Sequence, residues 1–101
     1  MIDFTGKIAT VSGAGSGLGR AISLKLAELG ASVLVTDINL DAAQETAETI
    51  IQAGGTASAL QADTSNYDDH VKVVETAVKE YGALHLAVNN AGITGPTGKI
   101  E

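Results

Sequence analysis

Short apolar runs alternate along this chain with longer stretches in which apolar residues recur at helical spacing. The runs are Lys7–Ser12, Ala31–Asp37, Thr56–Asp63 and Leu84–Asn89. Their length, their β-branched residues and the turn-forming residues around them favour strands. Between the runs, apolar residues recur every three or four positions, as on one face of a helix. The resulting order, βαβαβαβ, predicts an α/β fold in which helices cover a parallel sheet.

Right-handed crossovers between the parallel strands lead to a doubly wound, Rossmann-type sheet with strand order 3-2-1-4. The fourth strand is apolar on both faces, which is typical of a central strand, although this order places it at an edge. The 101 residues suffice for one small domain. We therefore expect residues 1–101 to be the N-terminal portion of one larger Rossmann domain, truncated after the fourth strand. The alternative is a complete small domain that pairs its open sheet edge with another copy.

Capping residues set the helix boundaries. Asn39 is a suitable N-cap for the second helix, and Gly30 and Gly82 are placed to end the first and third helices. Ser65, followed by Asp68 three residues later, predicts a capping box at the start of the third helix. The apolar positions that mark this third helix are Val71, Val74, Val78 and Tyr81.

Composition excludes several classes of protein. The net charge of −6 argues against a partner reached through bulk positive charge, so we expect neither nucleic acid nor a membrane as a partner. The absence of cysteine excludes disulfides and thiolate metal sites and suits a reducing compartment. The N-terminus lacks the apolar core of a signal peptide. These features together predict a cytoplasmic protein.

The stretch Ser12-Gly13-Ala14-Gly15-Ser16-Gly17-Leu18-Gly19 joins the first strand to the first helix. A strand, a glycine-rich turn and a helix N-terminus form an anion site, because free N–H groups and the helix dipole favour a phosphate. The alternative is a turn that only packs the helix tightly on the strand. Asp37, at the end of the second strand, is placed to accept hydrogen bonds from ribose hydroxyls, or else to cap the following helix.

Two other motifs bind phosphates or nucleotides through glycine-rich turns. The P-loop is absent, because Ile8 and Ile100 follow the two Gly-Lys pairs. The G-x-G-x-G turn of methyltransferases matches at Gly13, Gly15 and Gly17, although the acid that usually precedes the first glycine is missing. A methyltransferase that uses S-adenosylmethionine therefore stays open as an alternative.

Three motifs resemble those of the short-chain dehydrogenase/reductase family. Residues 12–19 fit its T-G-x-x-x-G-x-G signature, with serine in place of threonine. Its N-N-A-G signature stands after the fourth strand at residues 89–92, and its Asp-x motif after the third strand matches Asp63-Thr64. The resemblance covers essentially the whole chain and implies an oxidoreductase that moves hydride between a nicotinamide and a small alcohol or carbonyl substrate.

The resemblance also implies which residues bind the cofactor. Turn glycines and the backbone after them would face the pyrophosphate, Asp37 would bind the adenosine ribose, and Asn89 would tie the sheet together. Gly15 would be an extra glycine in a variable position. Because neither Ser16 nor Ile38 is basic and Asp37 is present, NAD is favoured over NADP. The implied cofactor-binding residues are Gly13, Ser16, Gly17, Leu18, Gly19, Asp37, Ile38, Asp63, Thr64, Asn90, Ala91 and Gly92.

The catalytic serine and the Tyr-x-x-x-Lys pair of the family have no counterpart in this sequence. Tyr67 is followed four residues later by Val71, and Tyr81 by His85. His70 and His85 have no partners at metal or triad spacing, so we expect structural roles for both and no metal site. The chain alone is therefore expected to be inactive, with a non-catalytic dinucleotide-binding module as the alternative. The resemblance to the family implies that the intact enzyme is a homo-oligomer.

Overall fold

The computed structural model describes residues 3–90 and contains the seven elements that the sequence predicts. In chain order they are β1 (Ile8–Ser12), α1 (Gly17–Glu28), β2 (Ser32–Asp37), α2 (Leu40–Gln52), β3 (Thr56–Gln61), α3 (Tyr67–Tyr81) and β4 (Leu86–Asn89). The four strands form one parallel sheet of order β3-β2-β1-β4. The predicted α/β class and strand order are confirmed.

Alternate residues of each strand point to opposite sides of the sheet. Helices pack against the residues on both of these faces. Val33 and Val35 belong to a core cluster with Leu26 of α1 and Ile50 of α2. Leu34, between those two valines, packs instead in a second cluster. That second cluster includes Val73 and Ala77 of α3. Helices α1 and α2 therefore lie on one face and α3 on the other, as a doubly wound sheet requires.

The predicted apolar face of α3 is largely wrong. Val73 and Ala77 are the buried residues of this helix, whereas Val74 is 39% exposed and Val78 is 47% exposed. Tyr81 does pack against the buried cluster. Helix α3 carries apolar residues on more than one side. Periodicity alone favoured the side with more apolar residues, whereas the side that packs on the sheet carries fewer and smaller ones.

The predicted cap of α3 is also wrong by one residue. Asn66 is the N-cap, and its side chain accepts a hydrogen bond from the backbone N–H of Asp69 at 3.2 Å. Ser65 instead donates through Oγ to Asp63 Oδ1 at 2.6 Å. The Asn39 cap of α2 is confirmed, since its side chain accepts from the N–H of Ala42 at 3.1 Å.

Candidate functional site

The turn between β1 and α1 is fixed by backbone conformation and by contacts with neighbouring elements. Gly13 and Gly17 adopt φ of 61° and 56°, a conformation that favours glycine. The N–H of Ala14 donates to the carbonyl of Thr36 at 2.9 Å. The carbonyl of Ala14 accepts from Thr46 Oγ1 at 2.9 Å. The turn is therefore held by β2 on one side and α2 on the other.

Gly19 lies where the first turn of α1 crosses the glycine turn. A Cβ at this position would collide with the carbonyl oxygen of Gly13 and would lie 2.7 Å from Asn90 Nδ2. Asn90 in turn donates through Nδ2 to the same Gly13 oxygen at 3.2 Å. Gly19 is thus required by close packing, and Asn90 links the end of β4 to the turn.

The N-terminus of α1 differs from those of the other two helices. Its N-cap, Ser16, makes no side-chain hydrogen bond to the helix, and its first turn carries no acidic residue. Helices α2 and α3 each have an asparagine cap and acidic residues in the first turn. In the described part of the chain, α1 is therefore the only helix whose first-turn N–H groups have neither a side-chain cap nor a nearby acidic residue. Such free N–H groups favour binding of an anion.

Asp37 connects the glycine turn to the start of α2 through its two carboxylate oxygens. Oδ2 accepts from the N–H of Gly15, and Oδ1 accepts from the N–H of Asn39, each at 2.9 Å. A carboxylate has about four acceptor positions, so two positions remain for further donors. Asp37 therefore does not cap α2, whose N-cap is Asn39, but it connects the turn to the start of that helix and keeps acceptor capacity for a ligand.

A cleft of about 340 Å³ lies at the carboxyl ends of the strands. It brings together residues from the ends of all four strands, which are far apart in sequence. Ile38 reaches this cleft with a side chain that is 65% exposed, and its carbonyl accepts from Gln61 Nε2 at 3.0 Å. The residues that line the cleft are Gly13, Asp37, Ile38, Ala62, Asp63, Thr64, Ser65 and Asn89.

Asp63 enters the cleft from the segment between β3 and α3. Its Oδ1 accepts from both the hydroxyl and the backbone N–H of Ser65, at 2.6 and 3.0 Å. Those hydrogen bonds, the hydroxyl first, hold the pKa of Asp63 below its usual range. Its backbone N–H donates to Asp69 Oδ2 at 2.8 Å. The segment is therefore anchored to α3, and Asp63 contributes a negative charge at the cleft.

Asn89, on β4, and His85, just before β4, both contact β1. Asn89 Oδ1 lies 3.1 Å from Ser12 Oγ, so it joins β4 to β1 as predicted. His85 precedes β4, and its Nδ1 accepts from the N–H of Ile8 at 3.0 Å. The structural role predicted for His85 is thus confirmed. His70 is exposed near the start of α3.

The remaining predicted site residues are placed as follows. Ser16 and Leu18 lie at the start of α1, and the Leu18 side chain is 60% exposed. Ala91 and Gly92 lie outside the described residues.

Within residues 3–90, no group of three or more His, Cys, Asp or Glu side chains is arranged to hold a metal ion. In the same range, no helix combines the length and apolarity needed to span a membrane.

Gly15, expected to be an extra glycine in a variable position of the signature, has a packing role in this chain that the sequence did not predict. A Cβ there would lie 2.5 Å from Ala42 Cβ and 2.9 Å from Asp37 Oδ2. The local pattern gives no signal for this requirement, because the contacts come from β2 and α2. Thr46 fixes the turn, and Gln61 fixes the Ile38 carbonyl. Neither role was predicted, because both contacts join segments that are far apart in sequence.

A parallel doubly wound sheet with a glycine turn after β1, an uncapped α1 and an acid at the end of β2 is typical of nucleotide-binding proteins. A family model described as short chain dehydrogenase matches residues 7–101. The chain belongs to the short-chain dehydrogenase family.

Individual relatives support this assignment. The chain is 49% identical over 98 residues to cyclohexanol dehydrogenase of Acinetobacter sp. (strain SE19), covering 97% of this chain and 39% of that protein. It is 38% identical over 94 residues to L-rhamnose 1-dehydrogenase (NADP(+)) of Thermoplasma acidophilum, covering 92% of this chain and 37% of that protein.

A solved structure shows the same architecture. The crystal structure of a short-chain dehydrogenase/reductase from Burkholderia phymatum in complex with NAD superposes with a TM-score of 0.81 at 34% identity. The match covers 86% of this chain and 31% of that one. The chain therefore spans well under half the length of each of these three proteins.

Proposed function

We propose that the intact protein is an NAD-dependent oxidoreductase of the short-chain type and that the cleft at the carboxyl ends of the strands holds the cofactor. The observation that carries this proposal is the meeting of an uncapped α1 N-terminus and the Asp37 carboxylate at the glycine turn. The nicotinamide, when bound, exchanges hydride with an alcohol or carbonyl carbon. This chain supplies binding and orientation.

The pyrophosphate is assigned to the first turn of α1. Gly17, Leu18 and Gly19 offer backbone N–H groups there, and neither the Ser16 side chain nor an acidic residue of the first turn competes for them. Gly17 lies in open space, since a Cβ there would meet nothing within 4 Å. Its positive φ, and not crowding, therefore makes glycine the preferred residue. Fixed N–H groups and the helix dipole stabilise two neighbouring negative charges.

The adenosine ribose is assigned to Asp37. Its two free acceptor positions suit a pair of vicinal hydroxyls, and its charge opposes the 2′-phosphate of NADP. The basic residue nearest in sequence to the glycine turn, Arg20, donates to Thr49 at 3.1 Å and lies 3.7 Å from Glu45, so its charge is matched on α2. The family includes a relative named for NADP(+) and a structure with NAD. Our choice of NAD therefore depends on Asp37, Ser16 and Ile38.

The adenine is assigned to the β3 side of the cleft. Ile38 offers an exposed apolar side chain, and Asp63 and Thr64 line the same cleft. Asn90, Ala91 and Gly92 are proposed for the β4 side of the cofactor. A homo-oligomeric assembly and a cytoplasmic location stay predictions from the sequence.

Isothermal titration calorimetry of the intact protein with three ligands tests the proposal. We expect NAD⁺ to bind more tightly than NADP⁺, and S-adenosylmethionine to give no saturable heat. Binding of S-adenosylmethionine without NAD⁺ would favour the methyltransferase alternative. If NAD⁺ binds but a panel of secondary alcohols produces no NADH absorbance, the non-catalytic binding module is the better description.

A further inference from the structure

The turn residue Gly15 lies between the acid at the end of β2 and the start of α2. Its N–H donates to Asp37 Oδ2 at 2.9 Å. Its φ is not among the positive values of the chain, so its backbone conformation does not by itself require glycine. Steric contacts around Gly15, and not its backbone conformation, therefore favour glycine at this position.

The space around Gly15 is closed on two sides. An added Cβ would lie 2.5 Å from Ala42 Cβ, 3.1 Å from the Ala42 carbonyl carbon and 2.9 Å from Asp37 Oδ2. Separations below 3.0 Å are essentially never seen for real Cβ atoms, so something would have to move. Helix α2 cannot retreat easily, because the buried Ala43 and Thr46 of its first turns are packed against the core and the turn. The Asp37 carboxylate is the freer of the two neighbours.

We propose that Gly15 is a positioning residue that sets the orientation of the Asp37 carboxylate and thereby the preference for NAD over NADP. This inference rests on the function proposed above. Gly15 acts in two ways: its N–H fixes Oδ2, and its missing side chain leaves the carboxylate its place between the turn and α2. Asn39 fixes the other oxygen through its N–H, so the carboxylate is held at both ends.

The test is Gly15→Ala in the intact protein, with the affinities for NAD⁺ and NADP⁺ measured by calorimetry. A displaced carboxylate loses hydrogen bonds to the ribose and repels a 2′-phosphate less. We expect the ratio of NAD⁺ to NADP⁺ affinity to fall by about tenfold, as for the loss of one hydrogen bond to a charged group. An unchanged ratio, or an equal loss of both affinities, would show that Gly15 only shapes the turn.

Two further variants separate positioning from general destabilisation. Gly55→Ala is the matched control, because a Cβ there would lie 2.8 Å from Ile50 Cγ2, at the end of α2 remote from the cleft. We expect it to lower stability without changing the ratio. Adding Ala42→Gly to Gly15→Ala removes the tightest contact and should restore part of the ratio. Absence of any restoration would contradict the packing argument.

The wild-type protein distinguishes failure of this inference from failure of the proposed function. If wild type binds neither dinucleotide, the proposed function fails before Gly15 is tested. If wild type prefers NAD⁺ and Gly15→Ala keeps that preference, only the role of Gly15 is refuted.

Discussion

Single residues at this site serve the fold and the proposed ligand at the same time. Asp37 accepts two backbone hydrogen bonds within the chain, from Gly15 and Asn39. Removing its carboxylate leaves both donors without that partner, so a loss of stability is expected alongside any loss of binding. For this reason a ratio of two affinities is more informative about Asp37 than either affinity alone.

Asp63 gives a prediction about pH at the residue scale. The Ser65 hydroxyl and N–H lower the pKa of this carboxyl in the folded state. A lowered folded-state pKa contributes stability that is complete above the unfolded pKa and is lost as the pH falls through the folded pKa. We expect Ser65→Ala to raise the pKa of Asp63 towards its ordinary value, because the hydroxyl contributes most.

NMR titration of the Asp63 side chain in wild type and in Ser65→Ala measures this directly. Asp3 is a suitable internal reference, since its pKa is lowered by the separate Thr5 hydrogen bonds. If the two Asp63 curves coincide, the hydroxyl is not the cause of the shift.

Helix α3 is the element whose packing differs most from expectation. Its buried positions are Val73 and Ala77, while Val74 is 39% exposed and Val78 is 47% exposed. We expect Val73→Ala to lower the free energy of unfolding by about 2 kcal/mol, since it removes buried methyl groups. Val74→Ala should change it by less than about 0.5 kcal/mol.

Urea denaturation of the two single variants measures the difference, and each serves as the control for the other because both replace a valine on the same helix. Equal losses would contradict the partial exposure of Val74.

The order and type of the elements were predictable because each depends on local pattern. Continuous apolar runs predict strands that are buried on both faces, and Val33, Leu34 and Val35 are indeed fully buried.

The buried face of α3 and its N-cap were not predictable from local pattern in the same way. Ser65 and Asn66 are both suitable N-caps. Asn66 caps the helix because the Ser65 hydroxyl instead donates a hydrogen bond to Asp63.

At the scale of the whole molecule, the site exists only because the sheet brings distant segments together. Asn90 and Gly13 are 77 residues apart in sequence and share a hydrogen bond of 3.2 Å. Motifs at the strand ends predicted which residues meet at this edge, because all strands are parallel and their carboxyl ends coincide. The packing of Gly15 on Ala42 was not predictable, since it depends on how closely α2 approaches the turn.

The measurement that tests the central claim most directly compares Asp37→Ala with Asp41→Ala for binding of NAD⁺ and NADP⁺. Asp41 lies four residues further on, in the first turn of α2, and does not line the cleft, so its removal takes away the same charge nearby. We expect Asp37→Ala to lower the ratio of NAD⁺ to NADP⁺ affinity by at least about tenfold, and Asp41→Ala to leave it within about twofold. A ratio that does not change in Asp37→Ala, or that falls equally in both variants, would contradict the assignment of the adenosine ribose to Asp37.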